Sequence, residues 1–142
     1  MTGDVKQKIK YPTKNEITSC KIMPTKTDID ITKFWKEIMW KIPKNTEEKI
    51  KTIKILLRLL ANNHNKKTII KFDPKLPSAC YSKKYDTIIL KDSSIISALH
   101  ELGHAIYGSS ELKACSWSIK LFQETFPKAF NKLIWKGHML IK

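Results

Sequence analysis

The stretch of the sequence best suited to chemistry is the pentapeptide HELGH at positions 100–104. On a helix, its four-residue spacing places His100 and His104 on one face, where both imidazoles can reach one metal ion. Glu101 lies close enough to hydrogen-bond a water on that ion. A zinc ion with three protein ligands keeps one position for water and lowers the pKa of that water toward about 7. The motif therefore predicts His100 and His104 as zinc ligands and Glu101 as the general base of amide hydrolysis.

Two histidines do not complete such a site, and Glu111 is the predicted third ligand. It lies seven residues after His104, just beyond a turn that begins at Gly108. In a helical hairpin, the last turn of one helix faces the first turn of the next, so Glu111 is expected close to His104. The alternative is that Glu111 only complements the dipole of its helix. In that case Glu124 and His138 are the remaining candidates.

The pattern of apolar residues and breakers predicts the elements that must position these side chains. Helices are expected over 31–42, 46–61, 95–107, 111–124 and 127–135. Strands are expected over 68–72 and 87–91, with further short strands at 79–81 and 17–23. This order of elements predicts an α+β fold with a short mixed or antiparallel sheet.

The composition indicates one domain, because 142 residues would be cramped as two. Residues 1–30 are polar and are expected to form an extended or poorly ordered arm, followed by a single domain over 31–142. The richest apolar run, 55–61, is far shorter than the roughly 20 residues of a membrane span. No apolar stretch follows the basic N-terminus, and the three cysteines lack CxxC spacing. A soluble cytoplasmic protein without a signal peptide, membrane association or disulfides is therefore expected, of unknown oligomeric state.

Lysine dominates the charge of the chain. Lys and Arg number 27 against 13 Asp and Glu, which gives a formal net charge of +14. Arg58 is the single arginine, although proteins that read bases or grip phosphates favour arginine. Weak, non-specific binding of nucleic acid through the lysines is expected at low salt. The alternative to a peptidase is therefore a basic binding module with little or no proteolytic activity.

The residues around the motif resemble the active-site region of gluzincin-type zinc metallopeptidases. Residues 98–105 (ALHELGHA) are similar to the active-site helix of that family, and residues 111–122 to its glutamate helix. The similarity is greatest to the E-x-x-A pattern of the ImmA/IrrE-like peptidases and the minigluzincins, and it covers about residues 68–125. It implies a small zincin-like domain in which His100, His104 and Glu111 hold zinc and Glu101 is the base.

The same resemblance implies an endopeptidase acting on a protein or peptide substrate. The strand at 87–91 would form the edge of the cleft, where a substrate peptide could pair as an added strand. By analogy with the ImmA/IrrE group, the substrate would be a regulatory protein.

One position departs from the family pattern. Many gluzincins carry an acid or amide four residues after the ligand glutamate, where this chain has Cys115. Cysteine is a poor acceptor, so support for the ligand histidines is expected from Ser118 or a backbone carbonyl, with Cys115 in the core. Tyr81, Tyr85 and Tyr107 are the candidates for stabilising a developing oxyanion.

Two hypotheses concern the end of the chain. In the first, zinc only staples the fold, with His138 or a cysteine closing a four-ligand site. In the second, the segment after Glu124, which has four lysines and no acids, folds over the cleft. His138 would then occupy the open metal position and hold the enzyme latent.

Overall fold

The computed structural model describes residues 11–142. Within them the chain forms six helices and five strands, in the order α1 Lys14–Ser19, α2 Lys26–Ile38, α3 Thr46–Asn63, β1 Ile69–Phe72, β2 Cys80–Ser82, β3 Thr87–Leu90, α4 Ile95–Tyr107, α5 Glu111–Thr125, α6 Pro127–Asn131, β4 Ile134–Lys136 and β5 Met139–Ile141. The predicted α+β class is confirmed. Among the described helices, none has the length and apolar character needed to cross a membrane.

The main core lies between the four longer helices and the first sheet. Trp35, Leu57, Leu99 and Trp117 bring one fully buried side chain from each of α2, α3, α4 and α5. Ile88 adds a fully buried side chain from the sheet. The apolar stripe that defines α4 in the sequence faces this core, which leaves the histidine side of the helix toward a cleft.

The first sheet is mixed, with the spatial order β1-β3-β2. Strand β1 runs parallel to β3, whereas β2 runs antiparallel to it. The central position of β3 shows that the expectation of a cleft edge at residues 87–91 is wrong, because both edges of this strand are paired. Its buried apolar sequence suits a central strand. The edge that packs beside α4 belongs to β2.

The N-terminal segment is helical where an extended arm and a strand at 17–23 were expected. Residues 1–10, the start of that arm, lie outside the described residues. The expectation that no signal peptide is present concerns the same residues. From Thr13 onward the expectation is wrong. Thr13 and Glu16 form a reciprocal capping box that starts α1, and Ile17 is buried.

Helix α2 also begins earlier than its apolar periodicity predicts. Thr25 and Asp28 form a second capping box, which starts the helix at Lys26 rather than at 31. The helix ends at Ile38, before the predicted end at 42. The capping residues Thr25 and Asp28 are visible in the sequence, but a helix start inferred from the spacing of apolar residues does not take them into account.

The C-terminal segment is a β-hairpin where the last helix was expected to continue to 135. Helix α6 ends at Asn131, and β4 and β5 pair antiparallel around a turn at Gly137. Gly137 has φ of 62°, which suits a tight hairpin turn. Trp135 pairs with Leu140, and both pack against a second small cluster. The buried members of that cluster are Ile17, Cys115 and Ile119.

Candidate metal centre

The site is built by the close crossing of α4 and α5. Gly103 faces Ala114, and a Cβ atom on Gly103 would lie 3.0 Å from the Ala114 Cα and carbonyl oxygen. The connecting turn is short because Gly108, at φ 83°, ends α4 and Ser110 caps α5 by accepting from the Lys113 N–H. Glu111 is the first residue of α5 and is thereby carried to the histidine face of α4.

The structure brings the three predicted ligands together. His104 Nε2 lies 2.9 Å from Glu111 Oε1, and His100 Nε2 lies 3.2 Å from Glu111 Oε2. The two imidazole centroids are 4.8 Å apart. Ligand atoms that share a tetrahedral zinc ion with bonds of about 2.1 Å are separated by about 3.4 Å. Both histidine–glutamate distances are thus close to the separation of ligand atoms on a common ion.

His104 is oriented by a backbone carbonyl, one of the two supports expected from sequence. Its Nδ1 lies 2.8 Å from the Gly108 carbonyl oxygen. A carbonyl oxygen only accepts, so Nδ1 is the donor and Nε2 of the neutral ring carries a lone pair. That lone pair faces an oxygen of Glu111, which also only accepts when ionised. A proton or a cation must therefore lie between them, and the Glu111 hydrogen bond accordingly raises the pKa of His104.

Glu111 is ionised and incompletely satisfied. Its contacts with His100 and His104 hold the pKa of the carboxyl group well below its usual range, despite the opposing effect of burial. The Oε2 atom is buried and, among the described residues, makes no hydrogen bond even though it lies 3.2 Å from His100 Nε2. A buried charged oxygen without a hydrogen bond is costly. It fits a site that holds a cation.

Glu101 lies on the same side of α4. It lines a cavity of about 290 Å³ together with His100 and Glu111. Burial raises the pKa of Glu101, and the nearby charges of His100 and His104 only partly oppose that effect. Glu101 therefore shares its cavity with two of the three candidate ligands.

Cys115 contacts the other nitrogen of His100. Its Sγ lies 3.7 Å from His100 Nδ1 and 4.0 Å from the carbonyl oxygen of His138. Burial, helped by the charges of Glu111 and Glu101, raises the pKa of the thiol to about 12. His100, Glu111 and Cys115 each offer a ligand atom within 4.8 Å of one another, so this cluster could hold a metal ion.

Of the other residues considered from sequence, Ser118 and His138 line the same cavity as His100 and Glu111. Ser118 donates to the Ala114 carbonyl and gives the histidines no support through that bond. His138 stacks its ring on Tyr11 at 4.4 Å. Glu124 is exposed near the far end of α5.

The three candidate tyrosines have different surroundings. Tyr81 donates to Asp86 at 2.8 Å, and burial with this contact raises its pKa to about 12. Tyr81 also lines a second cavity, of about 560 Å³, with His104. Burial and the charge of Asp28 raise the pKa of Tyr107, and Tyr85 is exposed. None of the three lines the cavity that contains Glu101.

Comparisons of the chain with protein-family models, curated proteins and solved structures found no match. The resemblance to gluzincins therefore rests on the quoted residues.

Sequence reasoning expected a backbone carbonyl to support a ligand histidine but did not identify which one. The Gly108 carbonyl that orients His104 could have been found, because a glycine stop directly after a metal-binding helix leaves its carbonyls near the last turn. One hypothesis placed the segment after Glu124 over the cleft, and His138, Met139 and Leu140 of that segment do line the cavity. Tyr11, which also lines it, is distant in sequence, carries no motif and was missed.

Proposed function

We propose that this protein is a zinc-dependent peptidase. The observation that carries the proposal is the Glu111 carboxylate lying 3.2 and 2.9 Å from the Nε2 atoms of His100 and His104. Two imidazoles and a carboxylate form a donor set typical of catalytic zinc sites. When bound there, zinc would polarise a substrate carbonyl and lower the pKa of a bound water.

The residues of the chain then have distinct roles. Glu101 takes a proton from the attacking water and later delivers it to the leaving amine. Its raised pKa suits this exchange, because a more basic carboxylate accepts a proton more readily. The Gly108 carbonyl fixes the His104 ring so that Nε2 is available as a ligand.

The edge of β2 is the place for an extended substrate. Because β3 is central, β2 is the strand of this sheet with a free edge on the α4 side. Ser78 and Ala79 lead directly into β2 and line the cavity that contains Glu101. A peptide added to β2 would pass this cavity with its backbone hydrogen-bonded and its side chains directed alternately to either side.

The test is a comparison of Glu101→Ala with the parent protein. Zinc content is measured on the purified proteins, and cleavage is followed by mass spectrometry of a proteome-derived peptide mixture. We expect Glu101→Ala to retain zinc and to lose cleavage by about 10²- to 10⁴-fold, the usual contribution of a general base. His104→Ala should lose both zinc and cleavage. Glu124→Ala, which removes an exposed acid from α5, should change neither.

Two outcomes would contradict the proposal. One is cleavage by Glu101→Ala at the parental rate. The other is a zinc-loaded parent that cleaves no peptide and instead binds DNA with a steep dependence on salt concentration, which would favour the basic binding module.

A further inference from the structure

The cavity beside the candidate metal centre has an apolar wall that the two ends of the described chain build together. Apolar atoms of Tyr11, Met139 and Leu140 line it from the termini. Ile96 and Ile119 line it from α4 and α5. The carboxylates on its lining belong to Glu101 and Glu111 of the site already described, and no lysine lines it. This contrasts with a chain in which roughly one residue in five is Lys or Arg.

The wall is held in place by packing and by a ring contact. Leu140 and its cross-strand partner Trp135 pack against the cluster that contains Ile17 and Ile119. At the hairpin turn, the His138 ring stacks on Tyr11 with centroids 4.4 Å apart and planes 14° from parallel. The β4–β5 hairpin therefore has a defined position against α5, and it contacts Tyr11 beside the cavity.

The cavity has the size of a side-chain pocket. Its volume is about 290 Å³, at the lower limit of pockets that take small ligands, which begin at about 300 Å³. One side chain and its adjoining backbone fill such a space, whereas a folded segment does not. Away from the metal centre, the lining formed by the described residues has no carboxylate, lysine or arginine; beside the apolar residues it has the polar side chains of Ser78, Ser97, Ser118 and His138. A charged side chain would therefore lose hydration there without gaining an ion pair, whereas an apolar one would gain contacts.

We propose that this pocket takes an apolar side chain of the substrate next to the scissile bond, and that Met139 on the hairpin helps to select it. The inference rests on the proposed peptidase function, since two of the three proposed metal ligands, His100 and Glu111, line the pocket. It assigns a specificity role to the C-terminal hairpin, which lies outside the residues that resemble gluzincins.

The chain offers a matched pair of positions for the test. Met139 and Ile141 lie on the same face of β5 and are both exposed, at 54% and 39%. Met139 lines the cavity, whereas Ile141 does not. Met139→Lys and Ile141→Lys therefore place the same charge on the same strand face, inside and outside the proposed pocket.

The experiment measures binding rather than turnover. The α-hydroxamates of leucine, glycine and glutamate, in which the hydroxamate chelates the metal, are titrated by calorimetry into zinc-loaded parent and both variants. Burial of a leucine side chain contributes about 1.5 kcal/mol or more, so the parent should bind the leucine compound at least about tenfold more tightly than the glycine compound. Met139→Lys should lower the leucine-to-glutamate preference about tenfold, and Ile141→Lys should change it less than about twofold.

The outcomes separate the two proposals. Equal affinity of the parent for the three hydroxamates, or equal effects of the two lysine variants, overturns the pocket and leaves the metal centre standing. A parent that does not retain zinc overturns the proposed function, and the pocket proposal with it. A leucine preference that Met139→Lys alone removes supports the pocket even if no peptide is cleaved.

Discussion

The two nitrogens of His100 meet different neighbours, and this decides between two metal sites. Glu111 faces Nε2, whereas the Cys115 thiol contacts Nδ1. One ion cannot bind both nitrogens of a single imidazole, because their lone pairs point away from each other in the ring plane. Since His104 Nε2 also contacts Glu111, we favour an ion held by His100, His104 and Glu111. Cys115 then orients the first histidine.

The substitution Cys115→Ser tests this assignment. The thiol contacts His100 Nδ1, the nitrogen that points away from Glu111, so it is placed to orient the ring rather than to share an ion with Nε2. We therefore expect one zinc ion per chain to remain, with an affinity lowered about tenfold by loss of the orienting contact. The cobalt-substituted parent should show no sulfur-to-metal charge-transfer band.

The exposed Cys80 provides the matched control, because Cys80→Ser removes a solvent-exposed thiol that is not part of the candidate metal cluster. It should leave zinc affinity unchanged. If Cys115→Ser loses zinc as completely as His104→Ala, a site with sulfur ligation is correct.

The candidate ligands were predictable because short-range spacing in the sequence determines where they lie. His100 and His104 follow from the four-residue repeat, and Glu111 follows from the short turn that ends at Ser110. The family pattern places a supporting residue at position 115, but the sequence did not indicate that a cysteine there contacts His100. This contact depends on the rotation of α5 about its own axis, which the main core sets.

At the level of helices, the crossing of α4 and α5 determines whether the ligands meet. Gly103 has no room for a side chain, since an added Cβ would lie 3.0 Å from backbone atoms of Ala114. Backbone atoms cannot rotate away as a flexible side chain can. An alanine at position 103 therefore requires α4 and α5 to move apart by a few tenths of an ångström, which shifts Glu111 relative to His104.

The prediction for Gly103→Ala is therefore a loss of metal affinity together with stability. We expect the free energy of unfolding to fall by about 1–3 kcal/mol, the usual cost of overpacking, and zinc affinity to fall at least tenfold. Both are measured on the purified protein, by denaturant titration and by competition with a chelator.

Gly137→Ala is a suitable control for this crossing. An alanine there meets no atom within 4 Å, but it is strained by the φ of 62° at the hairpin turn. It should therefore cost stability without changing zinc affinity. Unchanged zinc affinity in Gly103→Ala would show that the crossing does not set the site.

The order of the strands marks the limit of prediction at this level. The strands at 69–72 and 87–90 were expected almost to the residue, because both are short apolar β-branched runs between turns. Their order was not, because sequence does not show that β1 crosses over to pair parallel with β3. The hairpin at the C-terminus was missed because apolar residues at 133–135 also fit a helix.

Across the whole molecule, one buried carboxylate joins three helices. Asp28 of α2 has no solvent exposure and accepts hydrogen bonds from Trp117 of α5 at 3.1 Å and from Asn63 of α3 at 2.9 Å. His64 contacts it at 2.8 Å, and the Thr25 N–H completes the set. Burial alone would raise the pKa of Asp28, but these donors and the charge of His64 outweigh it and lower the pKa.

This network predicts a specific loss of stability in acid. Because the pKa of Asp28 is lower in the folded state, its contribution is complete above the ordinary value of 3.8 and disappears as the pH falls through the lower folded value. In Asp28→Asn, the NH₂ group of the amide would face hydrogen-bond donors and the negative charge would be lost. Near neutral pH this should lower the free energy of unfolding by about 3 kcal/mol. Asp30→Asn, an exposed acid on the same helix, should cost little. In denaturant titrations, the difference between parent and Asp28→Asn should shrink below pH 3.8; a difference that stays constant there would mean that the charge of Asp28 does not hold the helices together.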